Sequence, residues 1–208
     1  TQMSLDLSLF AKRVAPALGA KIRFVGSEPL DVMTQRYNEL MHELLPLEGI
    51  SVVEIARLSE EDRAISASAV RAALAEGKFS KAAPKVYPTT IPYLLAKLAT
   101  MTLQSELDTS PKPGLVDTID AGAHQDMDYN LMCRSIRALH PRFVALAQLG
   151  YQEKLPTSEE MRRLGLEAER EMLLATNNVN THKGALFAMG LVLIAAAHNY
   201  YIHGVIQE

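Results

Sequence analysis

Hydrophobic and polar positions change their period near the middle of the chain. Lys21-Ile-Arg-Phe-Val-Gly26 reads as a short strand ending in glycine, and Ser51-Val-Val-Glu-Ile-Ala-Arg57 as a second, rich in β-branched residues. Between them, Thr34 to Leu45 has helical spacing, with Tyr37, Leu40, Met41, Leu44 and Leu45 on one stripe and Pro46 just beyond. Strand, helix, strand predicts a parallel α/β unit. A further helix opens at Ser66 or Ser68, either of which can cap it, and closes at Gly77.

Pro84, Pro88 and Pro92 then punctuate a boundary, expected to divide an α/β domain at 1–88 from a second domain at 89–208. After Pro92 only the helical period remains. Leu94, Leu95, Leu98 and Met101 follow it, as do Leu131, Met132, Ile136 and Leu139, continued by Phe143, Val144 and Leu146 after Pro141. Thr157-Ser-Glu-Glu160 is a capping box, and Met161, Leu164, Ala168, Met172 and Ala175 form the stripe of the helix it starts. The run from Ala185 to Ala197 is apolar on all sides. It is shorter than the roughly 20 residues that span a bilayer, so a buried core helix is expected.

Composition adds limits. The chain has 208 residues, 48% hydrophobic and 22% charged, with a net charge of −3, enough for a core and too acidic for a general nucleic-acid or anionic-membrane surface. Cys133 is the single cysteine, which excludes an internal disulfide or multi-cysteine zinc site and points to a reducing cytoplasm. It is expected to be a small buried apolar residue. No signal-peptide pattern opens the chain, which begins at Thr1 in mid-pattern.

Four stretches have residue types suited to chemistry. Ile65-Ser-Ala-Ser-Ala-Val-Arg71 starts a helix, where free N–H groups, the hydroxyls of Ser66 and Ser68 and the fork of Arg71 outline a phosphate site; a plain cap with a solvated arginine fits the same residues. Ser110-Pro-Lys-Pro-Gly-Leu-Val-Asp117, just after Glu106, is a rigid loop. Its prolines fix Lys112, and Gly114 permits close approach of a ligand. Asp117-Thr-Ile-Asp-Ala-Gly-Ala-His-Gln-Asp-Met-Asp128 packs four acids and His124 into twelve residues, a composition that suits Mg²⁺ with phosphate oxygens and water; Asp128 as a helix cap and Asp120 as a turn residue are the structural alternatives. Asn177-Asn-Val-Asn-Thr-His-Lys-Gly184 sets Asn180, Thr181, His182, Lys183 and Gly184 at the mouth of the most apolar helix, as caps or as an anion cradle. The loop Gly26-Ser-Glu-Pro-Leu-Asp31 follows a strand, where α/β sheets bind ligands, and alone reads as a turn.

Residues 5–90, through the stretches SLDLSLFAKRVAPALGAKIRFVGSEPLDVMTQRYNELM, GISVVEIARL and ISASAVRAAL, resemble the C-terminal part of the citrate lyase ligase family, which is similar to the nucleotidyltransferases. That resemblance implies the back half of a Rossmann-like fold, an ATP-phosphate motif at Ser66 and Ser68, and ATP-driven acetylation of the acyl-carrier subunit of citrate lyase. The family's upstream glycine-rich strand-turn is missing here, so this half is expected to be incomplete at its start and unable to finish the ligase reaction.

Residues 93–204, through SPKPGLVD, GAHQDMD, PRFVALAQLG and NVNTHKGALFAMGL, resemble the triphosphoribosyl-dephospho-coenzyme A synthase family. The resemblance implies an all-α domain in which the 2′-hydroxyl of dephospho-coenzyme A attacks the ribose C1 of ATP and adenine leaves. Such a displacement needs a carboxylate near developing positive charge, a proton acceptor for the hydroxyl and cations for the triphosphate. Expected roles are Asp117 and Asp126 with Mg²⁺, His124 or His182 in proton transfer, and Lys112 and Lys183 on phosphates, with Gly114, Asn180, Thr181 and Gly184 lining the site. The family continues past residue 208 with a further acidic helix and a glycine-rich segment, so this half too is expected to be incomplete. Acetate ligation, or nucleotide binding without catalysis, is the alternative function; neither nucleic acid nor membrane is expected as a partner.

Overall fold

The computed structural model describes residues 2–28, 31–56, 59–60 and 63–206. By packing, the chain divides into two units, Thr1–Ser66 and Ala67–Glu208.

In the first unit, helix α1 (Gln2–Leu9) runs through a π-helical segment, Phe10–Val14, into α2 (Ala15–Leu18). Leu7, Ala11 and Ala15, spaced by four, are buried against Met41, Leu45 and Ile50. The sequence reading assigned no element to these residues. Strand β1 (Ile22–Gly26) is followed by α3 (Val32–Leu44) and by β2 (Ser51–Ile55), which pairs parallel with β1 from Ile22 opposite Ser51 to Gly26 opposite Ile55. Asp31 caps α3 by accepting from the amides of Met33 and Thr34, at 2.9 and 3.4 Å, and Asn38 on that helix donates to the Gly26 carbonyl at 2.8 Å. Pro29 and Leu30 of the expected ligand loop, and Arg57 of the expected second strand, lie outside the described residues. Two-residue strands β3 (Ser59–Glu60) and β4 (Arg63–Ala64) pair antiparallel. A helix and a parallel pair are thus present as expected; among the described residues the parallel sheet has two strands, which makes the unit α/β and goes no further toward a Rossmann-like sheet.

The second unit is helical. It opens with α4 (Ala67–Ala75) and α5 (Phe79–Ala82), and Ala73, Leu74, Ala82 and Ala83 are buried in the same core as the later helices. By packing, residues 67–88 belong with the helical unit. Pro84 and Pro88 sit inside short 3-10 turns, Ala83–Lys85 and Pro88–Thr90, that redirect the chain without detaching it.

Three long helices, α6 (Ile91–Asp108), α7 (Tyr129–Gly150) and α8 (Ser158–Ala175), precede α9 (Lys183–His203). Helix α7 packs on each of the other three. Pro141 lies within it, forgoing one backbone hydrogen bond, while Ile136, Leu139 and Phe143 stay buried on either side. Arg142 ties α7 to Glu167 at 3.1 Å and to Glu171 on α8. The capping box at Thr157 and Glu160 forms as the sequence predicts. Cys133 is half-buried, its thiol 3.9 Å from the Gln104 side-chain oxygen, and so is less enclosed than expected.

Helix α9 corrects another expectation. Its 21 residues include an 18-residue window with mean hydropathy 1.6, long and apolar enough to cross a membrane by length and composition, yet only 28% of that window is buried. Leu186, Gly190, Leu193, Ile194 and Ala197 face the core; Phe187, Leu191 and Val192 do not, Phe187 being 72% exposed. A helix apolar all round has no periodicity to say which side packs.

Candidate functional site

The loop from α6 to α7 is organised by one carboxylate. Asp117, only 4% exposed, accepts from the Ser110 hydroxyl at 2.8 Å and the Lys112 amide at 3.0 Å through Oδ2, and from the amides of Ile119 at 2.7 Å and Asp120 at 3.1 Å through Oδ1. These donors, the Ile119 amide foremost, hold its carboxyl far below the usual carboxylate range. Both oxygens are thereby committed to the loop. Each oxygen of Asp117 thus has two donors directed at its lone pairs.

The two arms of the loop meet at glycines. Gly122, at φ +58°, lies so close to Gly114 and Leu115 that a Cβ on it would stand 2.5 Å from their backbone, and the Ala123 amide donates to the Gly114 carbonyl at 3.2 Å. Gly114 has φ +79° and open space where its Cβ would be, at a cavity of about 680 Å³ lined also by Pro111, Lys112, Asp117 and Asp120. Lys112 turns back toward α6. Its ammonium donates to the Glu106 carbonyl at 2.8 Å and carboxylate at 3.0 Å, and its side chain is 12% exposed.

The acidic stretch divides between structure and surface. Asp120 accepts from the Gly122 amide at 2.7 Å, and Asp128 caps α7 through the Leu131 amide at 2.7 Å, the turn and cap roles weighed from sequence. His124 stands 3.9 Å from Asp126, both well exposed, beside a second cavity lined also by Arg134, Thr176 and Asn177. Among the described residues no three His, Cys, Asp or Glu side chains come together in a way that could hold a metal ion.

The turn from α8 to α9 uses Asn177 and Asn178 at positive φ, 54° and 65°, and buries Thr176, whose hydroxyl donates to the Met172 carbonyl at 2.8 Å. Asn180 accepts from the Lys183 amide at 3.3 Å, a local cap. Thr181 donates to the Ser135 hydroxyl at 2.7 Å, and Nδ1 of His182 lies 2.8 Å from the same oxygen. His182 is 5% exposed, and its Nε2 is buried with no hydrogen-bond partner among the described residues. Burial pushes its pKa down, against the pull of Glu106 and with the push of Lys112, which brings His182 into the field of the Lys112–Glu106 pair. Lys183 goes elsewhere: it pairs with Glu169 on α8 at 2.7 Å, along an apolar groove between α8 and α9. Nothing crowds the Cβ position of Gly184.

Lys112 thus pairs with Glu106 on α6, and Lys183 with Glu169 on α8. At the start of α4, Arg71 donates to the Ser68 hydroxyl at 3.4 Å, both exposed, while Ser66 precedes the helix. Ser135 is a residue of the candidate site that sequence reasoning missed. It is fully buried midway along the stripe Leu131, Ser135, Leu139, and a lone polar residue on such a stripe was the available signal.

A histidine held neutral by burial binds a proton more readily when the chain unfolds. Its stabilising contribution is full above an ordinary histidine pKa near 6.5 and is lost as pH falls below that value. Urea midpoints taken at pH 7.5 and 5.5 are expected to fall with acid, and to fall less in His182→Asn.

Residues 92–208 match the family model described as ATP:dephospho-CoA triphosphoribosyl transferase, and residues 1–94 match the citrate lyase ligase C-terminal domain. A 2-(5''-triphosphoribosyl)-3'-dephosphocoenzyme-A synthase of Klebsiella pneumoniae is 48% identical over 105 residues, 50% of this chain and 38% of the relative. One from Haemophilus ducreyi is 44% identical over 110 residues, 51% of this chain and 34% of the relative, and a probable one from Azotobacter vinelandii is 47% identical over 105 residues, 49% and 36%. The chain spans just over a third of the length of these curated relatives. No solved structure matches it. With more than half its length inside the first match, the chain belongs to the ATP:dephospho-CoA triphosphoribosyl transferase family, and it carries a citrate lyase ligase C-terminal domain ahead of that segment.

Proposed function

We propose that the segment from residue 92 serves transfer of the triphosphoribosyl group of ATP to the 2′-hydroxyl of dephospho-coenzyme A, with release of adenine. The observation that carries this reading is the orphaned Nε2 of His182, buried in the field of Lys112 and Glu106. An unpaired buried nitrogen costs about 1–3 kcal/mol, a cost that a bound polar substrate relieves.

In this transfer the bond from ribose C1 to adenine breaks, the bond from C1 to the incoming 2′-oxygen forms, and the hydroxyl proton ends on adenine. Positive charge grows on the sugar ring as the base departs. Lys112 supplies a nearly enclosed cation for the triphosphate beside the open face of Gly114. On this reading His124 accepts the hydroxyl proton, a role supported by its position 3.9 Å from Asp126 at the second cavity. Asp117 and Asp126 would be the carboxylates to hold a Mg²⁺ arriving with the triphosphate, which would neutralise phosphate charge.

For the ligase-like segment we propose a partner, the acyl-carrier subunit of citrate lyase, and for the whole chain a cytoplasmic site of action. Incubation of the chain with ATP, Mg²⁺ and dephospho-coenzyme A is expected to release free adenine, measured by chromatography. His182→Ala should slow it about 100-fold, the loss that follows removal of one hydrogen-bond donor from a transition state. Absence of adenine from a chain carried on to the relatives' full length would overturn the transferase reading.

A further inference from the structure

We propose that Ser135 is a positioning residue that locks His182 in the neutral tautomer with its proton on Nε2, so that His182 meets substrate as a hydrogen-bond donor. This rests on the transferase reading for its consequence, and on the geometry of three side chains for its substance.

A serine hydroxyl has one proton to give and two lone pairs to offer. Thr181 donates to Ser135 at 2.7 Å, which occupies one lone pair. The other described contact of the Ser135 hydroxyl is Nδ1 of His182 at 2.8 Å. With Thr181 as donor, the Ser135 proton is directed at Nδ1, which must then carry a lone pair. In a neutral imidazole the proton is left on Nε2. Burial keeps the ring neutral, and Ser135 is itself fully buried, so water does not compete for its proton.

An Nε2–H group donates and cannot abstract. His182 therefore faces an acceptor on the substrate, a ring nitrogen of the departing purine or a phosphate oxygen, and the 2′-hydroxyl must lose its proton to another group. That separates two histidines which the sequence left interchangeable. The nearby Lys112 and Glu106 are already paired with each other, the ammonium donating to the carboxylate at 3.0 Å.

The test is a long-range proton–nitrogen correlation spectrum of the full chain labelled with ¹⁵N-histidine, recorded without substrate at neutral pH. His182 should show a protonated Nε2 and an unprotonated Nδ1. Ser135→Ala should give a mixed pattern, and Ser135→Thr, which keeps the hydroxyl, should restore the single one. Thr181→Val removes the donor to Ser135, frees its oxygen to accept, and should raise the share with the proton on Nδ1; it carries the test if Ser135→Ala fails to fold. A proton on Nδ1 in the unaltered chain, or a pattern unmoved by Thr181→Val, overturns the proposal. Because the spectrum needs no turnover, a missing adenine signal sinks the transferase reading alone, and a wrong tautomer sinks this one alone.

Discussion

Replacing Gly150 by alanine is expected to destabilise the helical unit by about 3 kcal/mol, the upper end of the range for forcing atoms into a packed interior. Gly150 is the last residue of α7, where that helix crosses α9. A Cβ placed on it would lie 2.3 Å from the Ile194 carbonyl oxygen and 2.7 Å from its Cα. Backbone cannot rotate away as a side-chain tip can, so the two helices must separate. Separation costs the contacts of Leu146 and Ile194, both buried at this crossing. Gly165 on α8 is the control, since no atom lies within 4 Å of its Cβ position. There alanine should stabilise by about 0.5–1 kcal/mol through helix propensity. Urea unfolding followed by helical circular dichroism reads both variants. A Gly150→Ala midpoint equal to that of the unaltered chain would show that α7 and α9 do not meet as closely as described.

Such a contact illustrates what the sequence could and could not disclose. Periods of 2 and 3.6 residues placed β1, α3, β2, α6, α7 and α8, and Thr157 with Glu160 marked a helix start to the residue. Residues 2–18 were missed because their buried positions, Leu7, Ala11 and Ala15, include two alanines that do not stand out as a stripe. The prolines at 84 and 88 were legible as breaks, and each sits in a short 3-10 turn. At the candidate site, motif strings singled out loops, while the contacts within them join residues far apart in sequence. Asp117, a candidate ligand by sequence, is also the hub of its own loop; Ser135, which no motif singled out, touches both Thr181 and His182, 46 and 47 residues away. Lys112 and Lys183 looked alike as phosphate cations, and each has a different carboxylate partner, Glu106 and Glu169.

The second large effect is expected at Gly122, and it bears on function as well as stability. Its φ of +58° alone costs an alanine about 1–2 kcal/mol. The added Cβ also meets the Gly114 carbonyl carbon and the Leu115 nitrogen at 2.5 Å, so the two arms of the loop must part. Parting them breaks the bond from the Ala123 amide to the Gly114 carbonyl and pulls on the four donors that surround Asp117. Gly114→Ala separates the two causes, because Gly114 has a comparable φ of +79° but open space at its Cβ position. It should cost the backbone term only. Amide hydrogen exchange at Ile119 and Asp120 should accelerate strongly in Gly122→Ala and little in Gly114→Ala, while adenine release falls in both: in the first because Lys112 loses its place, in the second because a methyl group enters the space left for substrate. Equal exchange in the two variants would mean that conformational strain, not contact between the arms, is what Gly122 is there to avoid.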